Sequence, residues 1–251
     1  MLDRAVFLSP TPFLEVTAQG FTMRRMILRS DELTISLWPT SSPTGLDEDF
    51  SATIAYSASS CPAANTGLAA LTRAPSVVNT VNVFFRAGSP DSAVEAAHQQ
   101  AIASLNEATG GAPRYQLTAD PTGEVSFAME IDPNHARCTG PQPVGAFAEL
   151  NGVNGRISGG RILYCSVAGA RSVTLVQHEL GHTWGLYHSP SPADMMYCSS
   201  SGRAAQFSSR ERLVMKLMRQ RRAGNRWPDD DRQALTPLVE PRGTTQIIAC
   251  N

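Results

Sequence analysis

The spacing of apolar residues changes near residue 76 and predicts a strand followed by a helix. Residues 77–85 are rich in β-branched and aromatic side chains, as in a buried strand. Apolar residues then recur at helical spacing, at Val94, Ala97, Ala101 and Leu105. We expect this helix to have Ser89 as its N-cap and Pro90 at its first position, and to end at Gly110 and Gly111.

Further segments of the same kind predict a mixed sheet with helices packed on it. Four segments have the composition and the turn boundaries of strands: 114–118, 124–131, 144–150 and 161–165. One long helix is expected from about Ser172, and another from about Ser208 to Arg222. This order indicates the α+β class, with a twisted mixed sheet and a helix packed across it.

The first 74 residues differ from the rest in their clusters of Pro, Ser and Thr. Between these clusters, the short alternating stretches Leu33–Leu37 and Ser51–Tyr56 are predicted to be β-strands. We therefore expect a β-rich N-terminal region at 1–74. Its role is open between a propeptide, a set of accessory strands and a small β domain.

Composition excludes several classes of partner. The chain has 251 residues, of which 42% are hydrophobic, so it can bury a full core. Its formal net charge of -1 gives no electrostatic reason to expect nucleic acid or an anionic membrane as partner. No run of 18 apolar residues occurs, so we expect no membrane span. Residues 1–12 do not form a signal peptide, so any export signal has been removed or lies outside this sequence.

The cysteines bear on the compartment. There are five, none in a C-x-x-C pair: Cys61, Cys138, Cys165, Cys198 and Cys250. Either they form one or two disulfides with an odd thiol left over, or they are five reduced thiols of a cytosolic protein. A bridge between Cys138 and Cys165 would bracket the stretch 144–150, but the sequence leaves the pairing open.

Three of the five histidines lie in the segment 173–188, VTLVQHELGHTWGLYH. On a helix, His178 and His182 project from one face and can reach a single ion. The opposite face is apolar and can anchor the helix in the core through Val173, Val176, Leu180 and Trp184. Glu179, next to the first histidine, is the candidate general base for water activated by the ion.

The residues after this helix supply a third ligand. Gly185 can take the left-handed conformation that ends a helix and turns the chain back, which would deliver His188 to the same ion. Three neutral imidazoles leave a fourth tetrahedral position open, as in a catalytic rather than a structural zinc site.

The sequence HELGHTWGLYH at 178–188 resembles the metzincin signature of zinc endopeptidases. Met196, eight residues past His188, resembles the methionine of the Met-turn beneath the zinc in that clan. Ser189 after the third histidine and Tyr197 after the methionine are similar to the matrixin (matrix metalloproteinase-like) branch. The resemblance covers about residues 75–225 and is specific over 178–197.

This resemblance implies a zinc-dependent metalloendopeptidase. The zinc peptidase domain would span 75–230 and a C-terminal tail would span 231–251. Glu179 would accept a proton from water and pass it to the leaving amine. We expect a secreted or extracytoplasmic monomer with disulfides that acts on protein or peptide substrates.

The resemblance also implies where a peptide binds. An extended substrate would lie along an exposed edge strand, for which the candidates are Val144, Gly145, Ala146, Phe147 and Ala148. Tyr197 would shape the wall of the pocket and would not bind the metal.

Only one zinc is expected, because His98 and His135 do not match the pattern of the second, structural zinc of matrixins. Cys61 lacks the context of their inhibitory propeptide cysteine, so a disulfide or a plain thiol is favoured there. Turn residues are candidates for calcium binding, although turn formation is the favoured explanation for them: Asp132, Asn134, Asn151 and Asn154.

Two other functions compete with the peptidase. One is an adhesion or binding protein on a metzincin scaffold, against which the intact Glu179 argues. The other is an intracellular zinc hydrolase acting on something other than protein, which reduced cysteines would favour.

Overall fold

The structure is a computed structural model that describes residues 4–8, 13–27, 35–41, 46–56, 78–87, 91–153, 156–231 and 244–250. In these ranges helices and strands are mixed, which agrees with the α+β class. The strands form one sheet of three strands and one of six. The small sheet is antiparallel and contains β1 (Arg4–Leu8), β2 (Phe13–Thr17) and β3 (Arg24–Ile27).

The six-stranded sheet has the strand order β5-β4-β6-β8-β7-β9. Its strands are β4 (Thr80–Phe85), β5 (Arg114–Leu117), β6 (Ser126–Ile131), β7 (Ala146–Val153), β8 (Arg156–Tyr164) and β9 (Thr244–Cys250). The first four strands in this order are parallel, and β7 runs antiparallel to both of its neighbours. The sheet is therefore mixed, and the predicted strands at 77–85, 114–118, 124–131, 144–150 and 161–165 each overlap one of its members.

Six helices complete the described fold: α1 (Glu48–Tyr56), α2 (Ser92–Thr109), α3 (Ala136–Thr139), α4 (Val167–Ala170), α5 (Val173–Thr183) and α6 (Ser209–Met218). The N-cap of α2 is Asp91, whose side chain accepts from the backbone N–H groups of Ala93 and Val94. The predicted cap Ser89 and Pro90 lie outside the described residues. Gly110 ends α2 in the left-handed conformation, as predicted. Helix α2 packs against α5, and both helices contribute side chains to the same hydrophobic core.

Part of the N-terminal prediction is wrong. Residues 51–56 belong to helix α1 and not to a strand, and residues 35–37 form neither a helix nor a strand. Leu33 lies outside the described residues. Every residue from Ser51 to Tyr56 is buried, so the segment has no polar face whose spacing could distinguish a helix from a strand.

The stretch predicted to be an exposed edge strand is not at an edge. Val144 and Gly145 precede β7, whereas Ala146, Phe147 and Ala148 lie within it and are buried. On its outer side β7 pairs with β9, in a register that runs from Ala146 opposite Cys250 to Gly152 opposite Thr244. This additional strand lies at residues 244–250, within the segment 231–251 that is predicted to be a C-terminal tail.

The N-terminal and C-terminal parts of the described chain meet in a buried polar group that we call the Arg221 cluster: Trp38, Tyr56, Arg221, Asn225 and Asp229. The guanidinium of Arg221 forms a fully buried ion pair with Asp229 and lies over the ring of Trp38. The Tyr56 hydroxyl donates to Asn225, whose amide donates to Asp229. Trp38 and Tyr56 belong to the main hydrophobic core, so residues on both sides of the predicted boundary at 74 share that core.

One disulfide joins Cys138 in α3 to Cys165 at the end of β8, the pairing that the sequence had left open. Cys198 is also disulfide-bonded. Both facts agree with the oxidised alternative, and Cys61 lies outside the described residues. In the part of the chain that the structure describes, no helix is long and apolar enough to cross a membrane.

Candidate metal centre

Helix α5 is anchored at its start and turned sharply after its end. The Ser172 side chain caps the first turn by accepting from the backbone N–H of Leu175, and Val176 and Leu180 are fully buried. Gly185 follows the helix with φ 103°, in the left-handed region that the sequence predicted for it. The chain therefore reverses direction after α5 and returns toward His178 and His182.

This reversal brings three histidines together. We call His178, His182 and His188 the histidine cluster. One ring nitrogen of each lies within 4.8 Å of one from each of the others, and all three side chains are buried. The cluster can therefore hold a metal ion such as zinc.

Hydrogen bonds fix which ring nitrogen faces the centre. The Nδ1 atoms of His178 and His182 lie 2.9 and 2.8 Å from the carbonyl oxygens of Met195 and Leu186. Because a carbonyl only accepts, each Nδ1 carries the proton and each Nε2 presents a lone pair. These two Nε2 atoms are 3.1 Å apart. Two nitrogens on a tetrahedral zinc are about 3.3 Å apart, so the spacing fits such an ion.

The environment keeps His178 and His182 neutral. Burial lowers the pKa of His178 and of His182 well below the ordinary value. The positive charge of Arg203 and the neighbouring histidines lower the pKa of both rings further. Since an imidazole binds a metal only when it is unprotonated, the buried rings are held in their ligand form.

Glu179 lies on α5 between the first two histidines and is fully buried. The pKa of Tyr164 on β8 is raised well above its ordinary value, chiefly by burial and secondarily by the charge of Glu179. The Glu179 side chain is therefore close enough to Tyr164 for its charge to act on that hydroxyl, in a buried region where little water screens it.

The turn that contains Met196 packs directly against α5. A side chain at Gly181 would collide with the sulfur of Met196, so the helix and the turn approach as closely as a glycine permits. The Met196 carbonyl accepts from the backbone N–H of Ser189, and Tyr197 is half-buried beside this bridge. The turn thus supports the segment that carries His188.

Two carboxylates that we had not singled out hold this turn in place. The Glu211 carboxylate on α6 accepts from the backbone N–H groups of Met195 and Met196. Burial, with the charge of Asp194, raises the pKa of Glu211 to about 7. Asp194 is itself fully buried and accepts from Ser189, Ser208 and Arg210. Ser208 and Glu211 form a capping box, a spacing that was visible in the sequence.

The other candidate residues lie elsewhere. His98 lies on the buried face of α2, where its ring hydrogen-bonds to the Val94 carbonyl and the Tyr164 hydroxyl. His135 is the N-cap of α3. Asp132 accepts from the backbone N–H of Asn134 in a turn. Asn151 accepts from Thr245 on β9. Asn154 lies outside the described residues, and calcium binding stays a hypothesis.

Comparison with known proteins supplies no further assignment for the site. No protein-family model matches the sequence, and no curated protein matches it either. The interpretation of the histidine cluster therefore rests on its geometry and on the residues around it.

Proposed function

We propose that the chain is a zinc-dependent metalloendopeptidase of the metzincin kind, related to the matrixin branch, that acts outside the cytoplasm. The observation that carries the proposal is the buried histidine cluster with Glu179 on the same helix as His178 and His182. The packing of Met196 against Gly181 supports it, because the resemblance implies a methionine turn beneath the metal. The Cys138–Cys165 disulfide supports a location outside the cytoplasm.

The residues divide the work as follows. His178, His182 and His188 would hold one zinc through their ring nitrogens, which supplies the Lewis acidity that polarises a carbonyl group and acidifies water. Glu179 accepts a proton from water at a carboxylate oxygen and donates it to the leaving nitrogen of the scissile amide. The Met195 carbonyl orients His178, and the Leu186 carbonyl orients His182.

The proposal is tested with Glu179→Ala, and with Glu124→Ala as a control at an exposed glutamate. Purified protein is loaded with zinc, its metal content is measured, and its cleavage of a diverse peptide mixture is mapped by mass spectrometry. Wild type and the control should bind about one zinc and cut internal bonds. Glu179→Ala should bind the same zinc and cleave about 10²–10⁴-fold more slowly, the range expected for loss of a general base.

The possible failures are distinct. Zinc-bound protein that cuts no peptide, either as the full chain or without residues 243–251, contradicts the peptidase. Full activity in Glu179→Ala contradicts only the role of that residue, and a wild type that binds no zinc contradicts the metal centre itself.

A further inference from the structure

The metal centre is enclosed. His178, Glu179 and His182 are fully buried, and His188 exposes 1% of its surface. A peptide that pairs with β7 on its outer side can do so only after the strand now paired there has moved.

Strand β9 lies at the place where such a movement would open the site. β9 pairs antiparallel with β7. β7 and its other neighbour, β8, both pack against helix α5. The side-chain amide of Gln246 donates to the hydroxyl of Tyr187 at 3.2 Å, and Tyr187 directly precedes His188. β9 thus contacts the turn that carries the third histidine.

β9 also reaches this sheet from a different part of the chain. The other five strands come from residues 80–164, before helix α5, whereas β9 comes from beyond α6. Among its described side chains only Ile248 is buried, while Ile247 is 38% exposed. The described part of β9 is therefore held by its backbone pairing with β7, by one buried apolar side chain and by the hydrogen bonds of Thr245 and Gln246.

We infer that β9 is an intramolecular inhibitor that occupies the β7 edge in place of a peptide substrate. A free sheet edge offers an extended peptide a row of backbone donors and acceptors, and β9 uses the same row. Because β9 belongs to the same chain, it competes at an effective concentration on the order of millimolar. Release of β9 frees the edge and opens the turn at Tyr187. This inference rests on the proposed peptidase function.

A disulfide that locks β9 in place tests the inference. Asn151 and Thr245 are exposed, face each other in the register and share a hydrogen bond of 3.3 Å. Directly opposed residues on antiparallel strands have the Cα spacing that a disulfide needs. The double variant Asn151→Cys/Thr245→Cys should therefore form a lock, with the two single variants as controls.

When oxidised, the double variant should bind zinc like the wild type but cleave peptides more slowly, by about tenfold or more. Mild reduction of the exposed lock should restore the wild-type rate, measured against wild type in the same reductant. Equal cleavage by the oxidised and the reduced double variant would overturn the inference, because β9 would not need to leave.

Deletion of residues 243–251 provides the opposite change. The shortened chain should cleave faster than the full chain, and a synthetic peptide of residues 244–250 carrying Cys250→Ser should inhibit it. A folded, zinc-loaded shortened chain that is no faster overturns the inference. If the shortened chain does not fold, the lock decides alone.

A failure of the proposed function gives a different pattern. In that case the full chain, the shortened chain and the reduced lock all bind zinc and cut nothing. Binding of the fluorescently labelled 244–250 peptide then decides about β9 without any cleavage. Binding to the shortened chain but not to the oxidised lock supports exchange at the edge, and no binding to the shortened chain contradicts it.

Discussion

The histidine cluster and the Arg221 cluster both contain polar side chains and are both buried, but they differ in whether charged groups of the protein pair within them. In the Arg221 cluster a buried cation meets a buried anion, and Asn225 bonds the Asp229 carboxylate as well. In the histidine cluster burial keeps His178 and His182 neutral, and their Nε2 lone pairs face each other at 3.1 Å. The first is charge-balanced by the protein, whereas the second is an arrangement that a cation stabilises.

This difference separates a structural network from a ligand site. Both groups pay a desolvation penalty, so burial alone does not distinguish them. What distinguishes them is how each is arranged. In one, the Asp229 carboxylate neutralises the Arg221 guanidinium, whereas in the other, ring nitrogens with lone pairs face a common centre. Changes in the two clusters should therefore affect different properties, namely stability in one and metal affinity in the other.

The largest effect is expected from Arg221→Met. It leaves the Asp229 carboxylate buried without its guanidinium, which should lower the free energy of unfolding by about 3–5 kcal/mol. Urea denaturation measures this loss, with Arg222→Met as a control at a half-exposed arginine. Zinc content of the folded protein should be unchanged. The double variant Arg221→Met/Asp229→Asn should recover part of the stability, and a loss equal to that of the control would show that the pair contributes little.

The next effect is expected from His188→Ala, which removes one ligand. If a total zinc binding energy of 10–16 kcal/mol is shared by four ligands, each supplies about 3 kcal/mol, so affinity should fall on the order of a hundredfold. Competition with a chromogenic chelator measures it. His135→Ala, at the cap of α3, is the control and should bind zinc like the wild type. Unchanged affinity in His188→Ala would exclude this residue as a ligand.

The smallest effect concerns His98, a buried histidine whose two ring nitrogens are both hydrogen-bonded to other groups of the protein. Burial lowers its pKa to about 4, compared with about 6.5 in an unfolded chain. Its contribution to stability is therefore present above pH 6.5 and is lost as the pH falls toward 4. At pH 5 the loss is about 2 kcal/mol.

Urea denaturation in chelator at pH 7 and pH 5 measures this contribution. The wild type should lose about 2 kcal/mol more than His98→Gln between the two pH values. His135→Gln, at the half-exposed cap of α3, is the matched histidine substitution for comparison. Identical pH dependence in the wild type and His98→Gln would show that His98 does not titrate as its burial requires.

Local patterns predicted most of what lies near the histidine cluster. The spacing of His178 and His182 and the turn at Gly185 are properties of adjacent residues, so no distant contact is needed to infer them. The same holds for α2, whose apolar residues recur at helical spacing and whose end is marked by Gly110. These features were predicted within a few residues of their observed bounds.

Features decided by distant contacts were not predicted. β9 pairs with residues about a hundred positions earlier, and its sequence TTQIIAC has no alternation and carries no sign of that partner. α1 is enclosed on all sides between residues 51 and 56, so its burial comes from the rest of the fold. Glu211 matters through the backbone of Met195 and Met196, which leaves no mark on the side chains of that turn.

The contact between Gly181 and Met196 links two positions that are 15 residues apart. The methionine sulfur lies where a side chain at 181 would stand. A larger residue at 181 therefore requires the side chain at 196 to move or to be shorter. Distant homologues can therefore be sought by this pair of residues in combination, even where the histidine spacing alone is too short to be distinctive.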